Sequence, residues 1–161
     1  MNDLGTSELL EIVGYADDYA DAFARLNREW LEHYSLLEES DRKQLEHPRE
    51  LILATGGHIF IALIDGIVVG TCAAIVRDPE TVELAKLAVD RSVRGRGIGL
   101  QLAQTAIAWA RERGAGKMIL VSSTKLEAAL RLYERLGFEY GQLPADTEYE
   151  TADIFMELDL S

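Results

Sequence analysis

One cysteine, Cys72, stands in 161 residues. That excludes an internal disulfide and any cysteine-cluster zinc site, and leaves Cys72 as a small packed hydrophobe. The three histidines, His33, His47 and His58, lie 14 and 11 residues apart. No helical metal pair has that spacing, so no metal is expected. No G-x-S-x-G elbow is present for a nucleophilic serine. No apolar run approaches the roughly 18 residues of a membrane span. The N-terminal stretch also lacks the basic region and apolar block of a signal peptide. A cytoplasmic protein with no membrane contact is expected. There is no internal repeat, low-complexity block or linker, so residues 1–161 are read as one domain.

Positive charge is also scarce. Sixteen Lys and Arg face 28 Asp and Glu, a formal net charge of −12. Proteins that bind a nucleic-acid backbone carry a basic face, so no nucleic-acid partner is expected. The charges are unevenly placed. From Glu139 onward there are seven acids and no Lys or Arg. Between Asp90 and Arg96 there are three arginines, Arg91, Arg94 and Arg96. A basic turn on an acidic protein points to a local anionic ligand.

What is present reads as strands and helices in turn. Residues 9–15 suit a first strand, and Asp17 or Asp18 can cap a helix striped by Tyr19, Phe23, Leu26 and Trp30. Residues 30–47 read as a short, polar, partly helical connection. Pro48 opens a further helical turn with Leu51, Ile52 and Leu53 inside and Gly56-Gly57 as its stop. Asp65-Gly66 between residues 59–64 and 67–76 signals a two-residue hairpin. After a turn at Asp78-Pro79-Glu80, residues 82–89 form a third antiparallel strand. Residues 98–113 suit a helix stopped by Gly114, and 118–121 a short buried strand. Thr124 and Glu127 fit a capping box for a helix with Leu126, Ala129, Leu130, Tyr133 and Leu136 on one face, closed by Gly137. Residues 138–141 and 153–158 pair as a last hairpin. The order predicts an α/β (α+β) fold with one sheet layer flanked by helices.

The strand at 82–89 has a parity slip. Val82 and Leu84 share one face, whereas Leu87 and Val89 share the other parity. If all four face one core, an extra residue sits near Ala85-Lys86, a β-bulge that splays the strand and frees backbone groups. A strand buried on both faces would explain the pattern without one.

The turn after that strand alternates Arg94, Gly95, Arg96, Gly97, Ile98 and Gly99. Glycine lets amides approach a ligand, and a helix N-terminus favours an anion. Arginines add charge-assisted contacts. A Walker loop is excluded, because no Gly-Lys-Ser/Thr occurs. The dinucleotide fingerprint G-x-G-x-x-G is excluded, because Leu100 stands three residues after Gly97. What fits is an arginine, two residues, Gly, one residue, Gly. The alternative is a glycine-rich helix entry with no ligand.

Three linked pieces carry a family resemblance: residues 83–89, the turn 94–99, and Leu132, Tyr133, Gly137 and Phe138, with Tyr133 lying 36 residues beyond Gly97. Together they resemble the Gcn5-related N-acetyltransferase (GNAT) superfamily, best over about residues 59–138. The resemblance implies a mostly antiparallel sheet with a bulged, splayed central strand, and acetyl-CoA as co-substrate. Its pyrophosphate would lie on Arg94, Gly95, Arg96, Gly97, Ile98 and Gly99. Its pantetheine would pair with Leu87, Ala88 and Val89, and an amide near Ala88 or Val89 would hold the oxyanion. Glu83 would act as base through water, and Tyr133 as acid toward the thiolate. Otherwise Glu83 is a surface acid beside Lys86, and Tyr133 packs on its helix face. Relatives carry a proline after the cofactor strand, where this chain has Asp90-Arg91-Ser92. They also carry an asparagine where this chain has Leu126, which makes Ser123 the candidate contact for the cofactor arm. A homodimer is a further implication.

The acceptor would meet the thioester between residues 30–39 and 143–153, which are acidic and hold Trp30, Tyr34 and Tyr149. Such a rim suits a cationic small amine, amino acid or peptide amine. Trp30 as core, and the charges as a solvated face, is the other possibility. Two functions follow: an enzyme that acetylates a primary amine, or a non-catalytic acyl-CoA-binding module or sensor.

Overall fold

In the computed structural model, residues 9–147 and 149–161 are described. Residues 1–8, read above as lacking a leader, and Glu148, one of the C-terminal acids, lie outside the described residues. β1 (Leu10–Gly14) leads to α1 (Ala20–His33) and α2 (Glu39–Glu46), then to β2 (His58–Ile64), β3 (Ile67–Asp78) and β4 (Thr81–Val89). α3 (Ile98–Glu112), β5 (Lys117–Ser122), α4 (Glu127–Leu136), β6 (Glu139–Gly141) and β7 (Ile154–Asp159) follow. The strands form one sheet in the order β1-β2-β3-β4-β5-β7-β6. Neighbours are antiparallel except β4 and β5, which are parallel. The result is the expected mixed, mostly antiparallel sheet flanked by helices, with the final hairpin formed by β6 and β7.

The turn between β2 and β3 matches its sequence signal. Asp65 and Gly66 take φ of 51° and 79°, the positive values that fit the twist of the flanking strands. Both faces of β2 are then buried. Ile59, Ile61 and Leu63 pack with Phe23, Leu45 and Ile52 on the α1–α2 side. Phe60 and Ala62 join Leu102, Ala103, Ala106 and Ala110 on the α3 side. Gly70 of β3 allows α3 to lie close: a Cβ there would stand 3.0 Å from Leu102 and 3.3 Å from Ile98. That close approach sets the first turn of α3 against the sheet.

β4 carries the bulge. Ala73 pairs with Ala85 and Thr71 with Ala88, so two steps along β3 match three along β4. Lys86 takes φ of 54°. Val82 and Leu84 before it, and Leu87 and Val89 after it, all pack against the same α3-side core, as the parity slip requires. β4 pairs with β5 only from Thr81 to Glu83, and beyond Glu83 the two strands part.

Several local expectations are corrected. Asp17 does not cap α1; it lies in a tight turn (Asp17–Tyr19) and pairs with Arg49 at 2.6 Å. Residues 30–47 are more helical than expected, because α1 runs to His33 and α2 has its own capping box, made by Glu38 and Asp41. The Glu-to-Asp form of that box hid it from the Ser/Thr signature. Leu51, in the wide turn Arg49–Leu53, is exposed, whereas Ile52 is fully buried. Thr124 does not cap α4. Its amide and hydroxyl donate to the Asp153 carboxylate, both at 3.0 Å, and Leu126 occupies the cap position.

Leu102 and Leu51 offer a direct test of this packing. Leu102→Ala should cost about 3 kcal/mol in urea unfolding, because its cavity cannot fill. Leu51→Ala should stay within about 0.5 kcal/mol of the parent.

Candidate active site

Where β4 leaves β5, a cavity of about 470 Å³ opens. Its walls come from α1, the second half of β4, the turn after β4, the end of β5 and α4. Nearly all the candidate residues line it: Glu83, Leu87, Ala88, Val89, Arg94, Gly95, Gly97, Ile98, Gly99, Ser123, Tyr133, Trp30, Tyr34 and Tyr149. Arg96 does not; it is exposed on the turn.

One wall is an unpaired strand edge. Backbone groups of alternate strand residues point the same way. The Asp90 amide donates to Val69 at 2.8 Å, so Asp90 and Ala88 face β3. Leu87 and Val89 therefore turn their N–H and C=O groups into the cleft. This corrects the expectation for Ala88, whose main chain belongs to the β3 ladder. The Val89 carbonyl already accepts from the Trp30 indole Nε1 at 2.8 Å. Trp30 thus lies toward the turn, stacked on Tyr34 (centroids 5.8 Å apart), with the Arg94 guanidinium 4.0 Å from its ring centroid.

The turn carries groups that can receive an anion. Asp90 caps the bend Arg91–Val93, and hydrogen bonds from the Ser92 amide and hydroxyl hold its carboxyl below the ordinary range. Gly95 and Gly97 take φ of 80° and 77°, and Gly97 begins α3 with no side-chain cap. The first amides of α3 thus meet no capping side chain, and the helix dipole adds to their pull on an anion.

Tyr133 and Ser123 line the middle of the cleft. Tyr133 is buried on α4, edge-on to Phe138 at 5.9 Å. Burial pushes its phenol above the ordinary value of 10.0, with the nearby Cys72 thiol adding to the shift. It therefore stays protonated at neutral pH. Cys72 itself is fully buried and its thiol is pushed up by burial, as a packed hydrophobe requires. Ser123 is buried, and its hydroxyl oxygen accepts from the Lys125 amide at 3.1 Å.

At the far end stand the acids. Glu83 is 4% exposed and forms an ion pair and hydrogen bond with Arg77, not with Lys86. The reading of Glu83 as a surface acid is thus corrected; the strand carries it into the interior on the α1–α2 face. Lys86 pairs instead with Asp41 at 2.7 Å, both side chains 5% exposed. Its ammonium also lies 5.5 Å from the centroid of Tyr149, whose hydroxyl donates to Gln44 at 3.3 Å. The Glu38 carboxylate accepts from the amides of Glu150 and Thr151 at 2.9 and 2.8 Å and from the Thr151 hydroxyl. These bonds tie the two acidic segments together over the cleft. Asn27, Asp41 and Lys86 also line the cavity. The sequence reading assigned none of them to the site, although a lysine in an apolar strand at a suspected bulge was a usable signal.

Such a cleft can hold an extended ligand with strand-like amides at one part and a polyanion at the other. Among the described residues, no group of three or more His, Cys, Asp or Glu could hold a metal ion, and no helix is long and apolar enough to cross a membrane.

Comparison with known proteins points the same way. Residues 19–138 match the Acetyltransferase (GNAT) family. An N-acetylaspartate synthetase of Danio rerio is 39% identical over 85 residues, 52% of this chain and 30% of that protein. The chain spans less than half the length of the curated relatives it matches. An acetyltransferase of the GNAT family from Staphylococcus aureus Mu50 superposes with a TM-score of 0.87 at 22% identity, over 95% of this chain and all of that one. A PaiA N-acetyltransferase from Thermoplasma acidophilum, solved in complex with coenzyme A, gives 0.77 at 16% identity, over 94% of this chain and 99% of that one. These two likenesses concern the fold.

The buried phenol has a pH consequence. Its folded value lies above its unfolded value of 10.0, so its contribution to stability is intact below pH 10 and is lost as pH rises further. Urea midpoints should fall more steeply above about pH 10 for the parent than for Tyr133→Phe; parallel curves would count against the buried phenol.

Proposed function

The chain belongs to the Acetyltransferase (GNAT) family, and from that membership we propose that it moves an acetyl group from acetyl-CoA to a primary amine by direct attack in a ternary complex. The acceptor is a small molecule, an amino acid or a peptide. One observation carries the reading: the open edge of β4, the uncapped start of α3 and the Tyr133 side chain all line one cavity.

In this reading the amides from Gly95 to Gly99, with Arg94, hold the pyrophosphate. Leu87 and Val89 hold the pantetheine as an added strand, which needs the cleft that the bulge opens. Trp30 braces this region through Val89 and Arg94. A cleft-facing amide of β4 hydrogen-bonds the thioester oxygen and stabilises the charge that develops there. Glu83, oriented by Arg77, takes a proton from the acceptor ammonium through water, leaving the neutral amine to attack. The N–C bond forms and the C–S bond breaks. Tyr133 gives its proton to the departing sulfur, which leaves as the free thiol, and the second proton that the nitrogen sheds as the amide forms passes through water to the phenolate and restores the phenol. Ser123 contacts the cofactor arm, and Tyr34 and Tyr149 flank the acceptor path.

Thiol release from acetyl-CoA with a panel of primary amines tests the activity. Amine-dependent release is expected; tight acetyl-CoA binding without release from any amine would favour the acyl-CoA sensor. Tyr133→Phe should lower turnover roughly 100-fold, the lower end for a general acid, with coenzyme A affinity little changed. Unchanged turnover would remove the acid role.

Arg94→Ala addresses the other end. Loss of a charge-assisted contact should weaken coenzyme A about 10-fold or more in calorimetry, and leave pantetheine affinity nearly unchanged. Equal losses for both ligands would contradict the pyrophosphate assignment.

A further inference from the structure

Lys86 is a non-glycine residue with φ of 54°, placed at the bulge of β4. Such a conformation persists only where the surroundings over-determine it. Here a chain of buried polar side chains does so. The Thr71 hydroxyl donates to the Lys86 carbonyl at 2.8 Å. The same hydroxyl oxygen accepts from Asn27 Nδ2 at 3.0 Å, and Asn27 Nδ2 also donates to the Phe23 carbonyl at 2.9 Å. Asn27 and Thr71 are both buried. With the Thr71 oxygen already accepting the Asn27 hydrogen bond, its own hydroxyl hydrogen is directed at the Lys86 carbonyl. At the other end of the residue, the Lys86 ammonium is held by Asp41 at 2.7 Å.

The peptide group between Lys86 and Leu87 is trans and planar. Its N–H therefore points away from its C=O. Since Thr71 holds the carbonyl toward β3, the Leu87 amide points into the cleft, where Leu87 lines the wall. We propose that Asn27 and Thr71 are positioning residues that aim the Leu87 amide at the thioester oxygen, with Asp41 pinning the same residue through its side chain. The proposal rests on the acetyl-transfer reading. It goes beyond it by naming Leu87 as the donor and a pair of side chains outside the reacting groups as what fixes it.

The test uses acetyl-CoA labelled with ¹³C at the thioester carbonyl, bound to the full chain and read by infrared difference spectroscopy. The parent and Thr71→Ser, which keeps the hydroxyl, should shift the carbonyl stretch to lower frequency than in free acetyl-CoA. Thr71→Val, of equal shape but without the donor, should move it back toward the free value. Turnover of Thr71→Val should fall on the order of 100-fold, the scale of a misplaced catalytic group, with coenzyme A affinity within about threefold, because the pyrophosphate end is intact. Asn27→Ala should act in the same direction and carries the test if Thr71→Val does not fold. A full carbonyl shift in Thr71→Val, or a Thr71→Ser as impaired as Thr71→Val, would overturn the positioning role. A shift in the parent with no amine-dependent thiol release would overturn the acetyl-transfer reading and leave the positioning role standing. No shift in the parent overturns the Leu87 assignment.

Discussion

The hydroxyl of Thr71 hydrogen-bonds to the carbonyl of Lys86 at 2.8 Å inside the sheet. It satisfies a part-buried backbone acceptor at the bulge, and an orphaned acceptor there would be costly. That bond and the buried Asn27 contact hold Lys86 in its positive-φ conformation at the bulge. The divergence of β4 from β5 accompanies it: three parallel pairs form up to Glu83 and none follows. An open strand edge normally invites unwanted pairing. Here the edge lies inside a cleft roofed by α1 and flanked by α4, so a ligand of matching shape can reach it and another sheet cannot. Trp30 narrows it further by occupying the Val89 carbonyl.

The electrostatics of the cleft differ from those of the whole chain. A net charge of −12 would repel a polyanion at long range. Three acids near the cleft, however, are engaged: Glu83 with Arg77, Asp41 with Lys86, and Glu38 with backbone amides. Screening weakens the distant surface charges, whereas the helix amides and Arg94 act at contact distance. The Asp41–Lys86 pair is not an argument for stability, because desolvating two charges costs about as much as their attraction returns. What it supplies is geometry, a fixed side chain on a residue with an unusual backbone.

Much of this was legible in the residues. Asp65-Gly66 specified its hairpin, and the parity of Val82, Leu84, Leu87 and Val89 located the bulge to within a residue. Both signals depend on neighbouring positions along one strand. The alternation of arginine and glycine before Ile98 marked the helix entry for the same reason. What escaped detection was long-range. Nothing in the sequence links Asn27 to Thr71, 44 residues apart, or Lys86 to Asp41, 45 residues apart. Glu83 was placed on a polar surface because a strand reading sees parity and not the α1–α2 layer that covers that face. Thr124 fitted a capping box, but Asp153, immediately before the neighbouring strand and 29 residues on, competed for its hydroxyl and won.

The same long-range contacts join the two ends of the cleft. Asp41 is both the third residue of α2, closing its capping box with Glu38, and the partner of Lys86. Glu38 in turn fastens the loop at Glu150 and Thr151. Burial alone would push the Glu38 carboxyl up, but the hydrogen bonds from Thr151 and Glu150 outweigh it and hold the group below its ordinary 4.5. The latch thus keeps its charge throughout the neutral range, and protonation weakens it only under acid conditions. The loop over the cleft and the bulge beneath it are consequently parts of one hydrogen-bonded unit. A displacement of the roof must either break the buried Asp41–Lys86 contact or carry Lys86 with it. On the proposed reaction, acceptor binding and carbonyl polarisation would share a mechanical link through one side chain, that of Asp41.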